Sequence, residues 1–328
     1  MRNAADRLCL TNSEGAALKR HNLFEIQTWG SSKYNPMEQG LSEILNGFAG
    51  AYFSTPLIRL ALVPAILCLV GYFIFRNRKE LSRHAFQNTA ATIVVAGLNI
   101  FLLWIFNAQI DAFFQTAYRY ISLPQVPADF WASTPVWLLC ILGVVSKDFA
   151  DYWNHRLMHT KWGWPTHAAH HSDTHVNAFT TFRVHILESI LMSLSYVVLL
   201  TWLRIPEVIP FVAMFTHMHN LYVHMDLPYQ HGPFKYLIAS PAFHRWHHAD
   251  VPEAHGKNLA NTIPAWDALF GTYYFPGVCK EEMGATKSGV EDKNPFLIYI
   301  YPFQQWGRML RRRYKRWFGG KRETLKRV

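Results

Sequence analysis

Five apolar runs limit what this chain can fold into: residues 60–75, 90–106, 131–145, 186–203 and 205–223. Inside a bilayer no water satisfies backbone N–H and C=O groups, so a crossing segment forms either a helix or part of a closed barrel. The runs are continuous, not alternating, and their lengths approach the roughly 20 residues a spanning helix needs. Charged residues make up 16% of the chain, against roughly 25% in soluble domains, which agrees with a membrane setting. The last two runs are separated only by Arg204 and punctuated by Pro206 and Pro210, the pattern of a hairpin with a tight turn. Several runs fall short of a full span and carry polar groups such as Asn99. The expected fold is an all-α integral membrane protein with four to five transmembrane or half-spanning helices.

Charge gives an orientation. The block RNRKE at 76–80 follows the first run directly, and RRRYKR at 311–316 lies near the C-terminus. Lysine and arginine favour the cytoplasmic side of a membrane. With RNRKE cytoplasmic, the second helix leaves that side and the third returns, so residues 146–185 and 224–328 face the cytoplasm. The same count puts residues 1–50 outside, and these are polar and lack the apolar core of a conventional signal peptide. The net charge of +10 gathers beside apolar runs without any nucleic-acid-binding motif, so membrane is the expected partner and nucleic acid is not. RRRYKR reads either as a contact with anionic headgroups or as a solvated tail. The four cysteines are scattered with no CxxC pair; they read as small buried hydrophobes, not a disulfide framework.

Histidine is the outlier of the composition. At 17 in 328 residues, HxxHH should arise by chance roughly 0.05 times; it occurs twice, as HAAHH at 167–171 and HRWHH at 244–248, so chance is set aside. A third cluster, HRLMH at 155–159, stands in KDFADYWNHRLMH. Residues i and i+4 share a helical face with i+3 beside them, so each cluster can converge two or three imidazoles. The 155–159 pair taken alone fits headgroup contact equally well. Asp148 and Asp151 precede His155 by seven and four residues, and metal-bound imidazoles commonly donate their other ring proton to a carboxylate. Eight neutral imidazoles without thiolate suit iron, copper, zinc or nickel, not calcium or magnesium. One tetrahedral zinc needs four ligands, so eight in three clusters fit two metals about 3.5–4 Å apart.

HRLMH, HAAHH and HRWHH resemble the three histidine boxes, HxxxH, HxxHH and HxxHH, of the fatty acid hydroxylase/sterol desaturase superfamily. HHSDTHVNAFTTFRVHILE at 170–188, GPFKYLIASPAFHRWHH at 232–248 and NLANTIPAWDALFGTYY at 258–274 are similar to the flanking segments, the last with its WDxLFGT signature. The likeness runs from about residue 90 to residue 275. It implies a membrane-embedded catalytic domain at 51–275, with the boxes in a cytoplasmic helical cap, between a polar extension at 1–50 and a basic tail at 276–328. The implied metal ligands are His155, His159, His167, His170, His171, His244, His247 and His248. His224 in HMDLPY matches a recurrent HxN-like ligand position, although Asp226 replaces the asparagine. His219 and His185 are further candidates, as ligands or as groups that orient ligands, and Asp151 joins them. His185 sits in RVHILE, where the family often has RxHPxE and this chain has Ile186. Arg183 and Glu188 read as a buried ion pair or as support for the ligands. Trp162, Trp164 and Trp246 are placed as interfacial anchors, with a lipid slot as the alternative.

The resemblance further implies two iron ions, for which zinc substitutes in purified protein, with dioxygen as co-substrate. Electrons must come from an external NAD(P)H-linked reductase or electron carrier, since the chain has no Rossmann glycine fingerprint or haem-attachment motif. The expected activity is O2-dependent hydroxylation or desaturation of a lipid, sterol or fatty acyl, because breaking an unactivated C–H bond needs cofactor chemistry. An ether-lipid monooxygenase of the same superfamily is the alternative. From other classes come a bis-histidine haem electron carrier, a metal transporter with ligands at mid-bilayer and a zinc-dependent membrane hydrolase.

Overall fold

The computed structural model describes residues 83–121, 126–127 and 129–324. The polar extension at 1–50, the apolar run at 60–75 and the block RNRKE lie outside them. The described residues are helical, with no strand and a single isolated bridge between Ala249 and Met283.

The first helix, α1 (Arg83–Ile121), contains the run expected at 90–106. Its segment His84–Phe106, 23 residues, is the one helix among those described that is long and apolar enough to cross a membrane. Ile93, Val94 and Phe106 point outward, whereas Asn88, Thr92 and Asn99 are buried. Asn99 donates to Val184 O (2.5 Å) and accepts from Tyr299 Oη (2.9 Å). A polar stripe is thus satisfied on the protein side, as a membrane helix requires.

Helix α2 (Val136–Met158) starts at Pro135, which cannot continue a helix backwards, and takes up the run expected at 131–145. Its last three turns bury Lys147, Asp148, Asp151, Tyr152 and His155, so a helix long enough to span is polar along its inner face. Gly143 lets residues 208–212 approach: a Cβ there would lie 2.8 Å from Val212 and 2.9 Å from Val208. After a turn, α3 (Trp164–His171) carries the HAAHH box, with Pro165 in its first turn.

The expected hairpin forms, but both limbs are interrupted. The first consists of α4 (Ile186–Ser193), a short turn Ser195–Val197 and a π turn Val198–Trp202. The chain reverses at Arg204, in the left-handed region at φ 56°, and returns through α5 (Ile209–Val223). At 1.5 Å per residue, 15 residues rise about 22 Å, short of the roughly 30 Å hydrocarbon core. Leu139, Leu199, Leu203, Ile205, Val208 and Val212 form the core between α2 and this hairpin.

Helix α6 (Pro241–His247) carries the HRWHH box and is capped by Ser240, whose hydroxyl accepts from Phe243 N (3.2 Å). Helix α7 (Ala265–Phe270) ends at Gly271 (φ 77°), and α8 (Pro295–Thr324) closes the chain. The first turns of α8 pack against α3 and α1, burying Ile298 with Ala91, Val95 and Ala169.

Candidate metal centre

Nine histidines from four segments converge. His155, His159, His167, His171 and His247 form one group, and His170, His224, His244 and His248 a second; within each group one nitrogen per ring lies within 4.8 Å of all the others. The pattern explains why the boxes are written HxxHH. On α3, His167 and His171 stand one turn apart and face the first group, while His170 turns to the second. On α6 the division is reversed, with His247 in the first group and His244 and His248 in the second. Neighbouring histidines therefore serve different groups, and the groups are interleaved: His171 and His248 rings lie 4.7 Å apart across the boundary.

Outer contacts fix several tautomers. His155 Nδ1 lies 2.6 Å from Leu259 O, His247 Nδ1 2.8 Å from Lys257 O, and His224 Nδ1 2.6 Å from Asn220 O. A carbonyl only accepts, so each of these Nδ1 atoms carries the proton and each Nε2 presents a bare lone pair. His167 Nδ1 lies 2.8 Å from Glu188 Oε1, which does the same for that ring. Yet His155 Nε2 and His167 Nε2 are 2.9 Å apart, His171 Nε2 is 3.1 Å from His167 Nε2, and His224 Nε2 has His170, His244 and His248 Nε2 at 3.2, 3.1 and 3.2 Å. At His155 and His167, where both tautomers are fixed, two lone pairs face each other and cannot hydrogen-bond. His159 Nε2 and His247 Nε2 are likewise buried with no hydrogen-bond partner.

Electrostatics keeps these rings neutral. Burial first, and neighbouring imidazoles second, hold His167, His170, His171, His244 and His248 well below the usual imidazole range, and burial with the nearby His155 does so for His247. Neutral, inward-facing, crowded lone pairs are a donor set for cations. Metal–nitrogen bonds of about 2.1 Å give edges of about 3.0 Å between ligands at right angles and about 3.4 Å in a tetrahedron. The observed 2.9–3.2 Å falls at the distances expected between nitrogens that share one ion. The residues fit two metal ions, one per group.

Behind the ligands lies a carboxylate scaffold. Asp267, from the WDALFGT stretch, accepts from Leu259 N (2.7 Å), Ala260 N (2.9 Å) and Thr272 Oγ1 (2.6 Å). Asp148 accepts from Thr262 N (2.8 Å) and Ile263 N (2.9 Å). Together they clamp the segment that offers the Leu259 carbonyl to His155. Asn258, at φ 54°, donates to Phe243 O (2.9 Å) and Tyr274 O (2.7 Å) and accepts from Tyr274 N (2.8 Å), fixing the segment to α6.

Several expectations need correction. Asp151 does not meet His155: its oxygens bind Lys147 Nζ (2.5 Å) and the Ser195 hydroxyl. Asp148 supports His155 only through the loop. Arg183 and Glu188 do not pair; Arg183 bonds Asn88, Ser172 and Asp292 O, leaving Glu188 to His167. His185 lies outside both groups, capping α4 by accepting from Leu187 N (3.2 Å) and reaching Tyr299 O (3.1 Å). His219 is outside them too, with Nε2 3.1 Å from Ala239 O. Trp164 packs on His159 and His171, ring centroids 5.4 and 5.2 Å away. Trp246 is buried and donates to Gly277 O (2.7 Å), so it is no interfacial anchor.

The first group opens to solvent. A cavity of about 440 Å³ is lined by His159, His171 and His247 together with Trp164, His255 and Lys287.

The model of the fatty acid hydroxylase family matches residues 140–272, a range containing every histidine of both groups. The chain is 31% identical over 157 residues to the alkylglycerol monooxygenase of Xenopus tropicalis, covering 48% of this chain and 33% of that protein. It is 28% identical over 209 residues to an ornithine lipid hydroxylase of Rhizobium tropici, covering 61% and 62%. A very-long-chain aldehyde decarbonylase of Oryza sativa subsp. indica is 24% identical over 168 residues, covering 46% and 25%. The match thus spans a third of the first relative's length. No solved structure matches the chain. Across residues 140–272, with both histidine groups inside them, the chain is similar to the fatty acid hydroxylase family.

Proposed function

We propose that this chain is a membrane-bound, non-haem di-iron oxidoreductase that uses O2 and external electrons to hydroxylate or desaturate a lipid. The observation that carries the reading is nine buried histidines in two groups with their ring nitrogens turned inward, among them the fixed lone pairs of His155 and His167 facing each other at 2.9 Å, which is repulsive without a cation between them. We assign the first ion to His155, His159, His167, His171 and His247, and the second to His170, His224, His244 and His248. Five nitrogen donors in the first group exceed the four of a tetrahedral zinc, which favours iron; zinc could load the same rings in purified protein. Two such ions, once bound, would supply dioxygen activation with electrons from outside, the chemistry that no side chain supplies.

The residues of the chain do the rest. Glu188, Leu259 O, Lys257 O and Asn220 O hold four of the imidazoles, His167, His155, His247 and His224, in the ligating tautomer. Asp148, Asp267 and Asn258 keep those carbonyls in place. The cavity beside His159 gives the first ion a polar opening, suited to a small reactant or to electron delivery from a reductase or carrier. The lipid reaches the centre from the bilayer side, where α1 and the hairpin expose apolar surface. We assign four to five spanning or half-spanning helices, a helical cap and a metal centre on the cytoplasmic side, and a catalytic unit at 51–275 behind a polar extension at 1–50. Residues 276–328 add a basic tail whose first helical turns join the core.

The names of the relatives favour lipids: one acts on alkylglycerols and another on ornithine lipid. An ether-lipid monooxygenase is therefore the second reading. A bis-histidine haem is disfavoured, because axial ligands stand on opposite faces of a macrocycle and nitrogens about 3 Å apart leave no such gap. A transporter is disfavoured because the histidines sit at helix ends, outside the apolar runs. The test is comparison of the lipids of cells with and without the gene, repeated with a His247→Ala chain. One lipid class gaining oxygen or a double bond only with the intact gene supports the proposal. Identical lipid profiles, with purified chain that consumes no O2 when given iron and reductant, refute it.

A further inference from the structure

Residues 303–317 of α8 are not needed to build the metal centre, yet they have a definite design. At 100° per residue, Phe303, Trp306, Leu310, Tyr314 and Trp317 fall within an arc about 120° wide that contains no charged residue. Phe303, Leu310, Tyr314 and Trp317 are 56%, 55%, 65% and 65% exposed. Arg311 and Arg313 border the arc on either side, and Arg308, Arg312, Lys315 and Arg316 occupy the opposite face, with no acidic residue in the segment. Arg313 lies over the Trp317 ring, its guanidinium carbon 5.3 Å from the centroid, which lets the stem follow apolar surface while the head stays wet. In water such a helix face is a liability; at a bilayer surface it is complementary to both layers it would meet.

The apolar arc is also continuous with the outer surface of the segment able to cross a membrane. Pro295 and Lys293, at the start of α8, lie beside Phe86 and Val94 on the outer side of α1, within the segment able to cross a membrane. Phe296 and Phe303 extend that exposed apolar surface along α8.

We propose that residues 303–317 of α8 form an in-plane helix that seats on an anionic lipid surface, with Phe303, Leu310 and Trp317 in the acyl boundary and the Arg/Lys face toward headgroups. The first turns of α8 pack on α3, the helix of the HAAHH box, so seating α8 sets the height of that box above the membrane. This inference is independent of the oxygen chemistry and concerns only how the chain lies at the bilayer.

The test uses the full chain in lipid nanodiscs, with one environment-sensitive label at Leu310→Cys or, separately, Arg312→Cys, in a background whose native cysteines are serine. In phosphatidylcholine with about one-third phosphatidylserine, the label at 310 should be at least about fivefold less accessible to a water-soluble quencher than the label at 312. In phosphatidylcholine alone, or after glutamine replaces Arg308, Arg311, Arg312, Lys315 and Arg316, that ratio should fall toward one. Equal accessibility at 310 and 312 in anionic discs refutes the proposal. So does protection at 310 that persists in detergent with cross-linked dimers, which would mean that a second copy covers the face. Iron content unchanged between lipid compositions keeps this outcome separate from any failure of the metal assignment.

Discussion

Glu188→Gln isolates the part of the site least visible in sequence. Glu188 is 4% exposed, its Oε1 lies 2.8 Å from His167 Nδ1, and its Oε2 has no partner. Glutamine keeps the shape and leaves a carbonyl oxygen to accept from the same proton, so the tautomer survives while the anionic form that a bound cation would favour is lost. A charged hydrogen bond is worth about 1.5–3 kcal/mol and a neutral one about 0.5–1.5. The difference, about 1–2 kcal/mol, is felt mainly when His167 carries a cation. It corresponds to roughly five- to thirtyfold weaker metal binding, within the 10–100-fold usual for partners behind ligands. Chelator competition with cobalt(II), read by its visible absorption, measures this on the purified chain. Glu188→Ala should weaken binding further, since it leaves a buried N–H with no acceptor. Affinity within about twofold of the parent for Glu188→Gln would refute the claim that this carboxylate supports a ligand.

Other variants probe the division of the boxes and the scaffold. His170→Ala and His171→Ala are adjacent but serve different groups, so each should lose about one metal equivalent and the double variant about two, read by elemental analysis. Asn258→Ala removes three hydrogen bonds and forces alanine to φ 54°; a loss of about 3 kcal/mol is expected, with Asn258→Gly milder by about 1 kcal/mol, read from thermal unfolding in detergent. Acid should strip the site. Histidines held neutral below their unfolded pKa of about 6.5 leave the unfolded chain binding more protons, so stability falls as pH drops below that value. Each ring that stays neutral costs about 1.4 kcal/mol at pH 5.5. Metal release and unfolding should therefore steepen together between about pH 6.5 and 5.5, and a site stable across that range would contradict the neutral-ring assignment.

The boxes were legible because imidazoles four apart can only share a helical face, and their spacing survives any tertiary arrangement. What orients them was less so. Asp151 stands four residues from both Lys147 and His155, and a helix satisfies either pair; packing against Ser195 decided for the lysine. The acceptors for His155 and His247 are the backbone carbonyls of Leu259 and Lys257, which leave no side-chain signature. The WDALFGT stretch was recognisable as a motif, but its role, Asp267 clamping the Leu259 segment, needed the fold. The runs at 186–203 and 205–223, split by Arg204, pointed to the reversal there, while nothing in them announced the π turn in the first limb.

Metal stoichiometry tests the two-ion centre most directly. The full chain, purified after anaerobic loading with iron(II) and removal of loose metal, should retain about two irons, and X-ray absorption should show nitrogen-dominated coordination above four. One metal per chain or none, or a pair that the His170→Ala/His171→Ala double variant leaves intact, would contradict it.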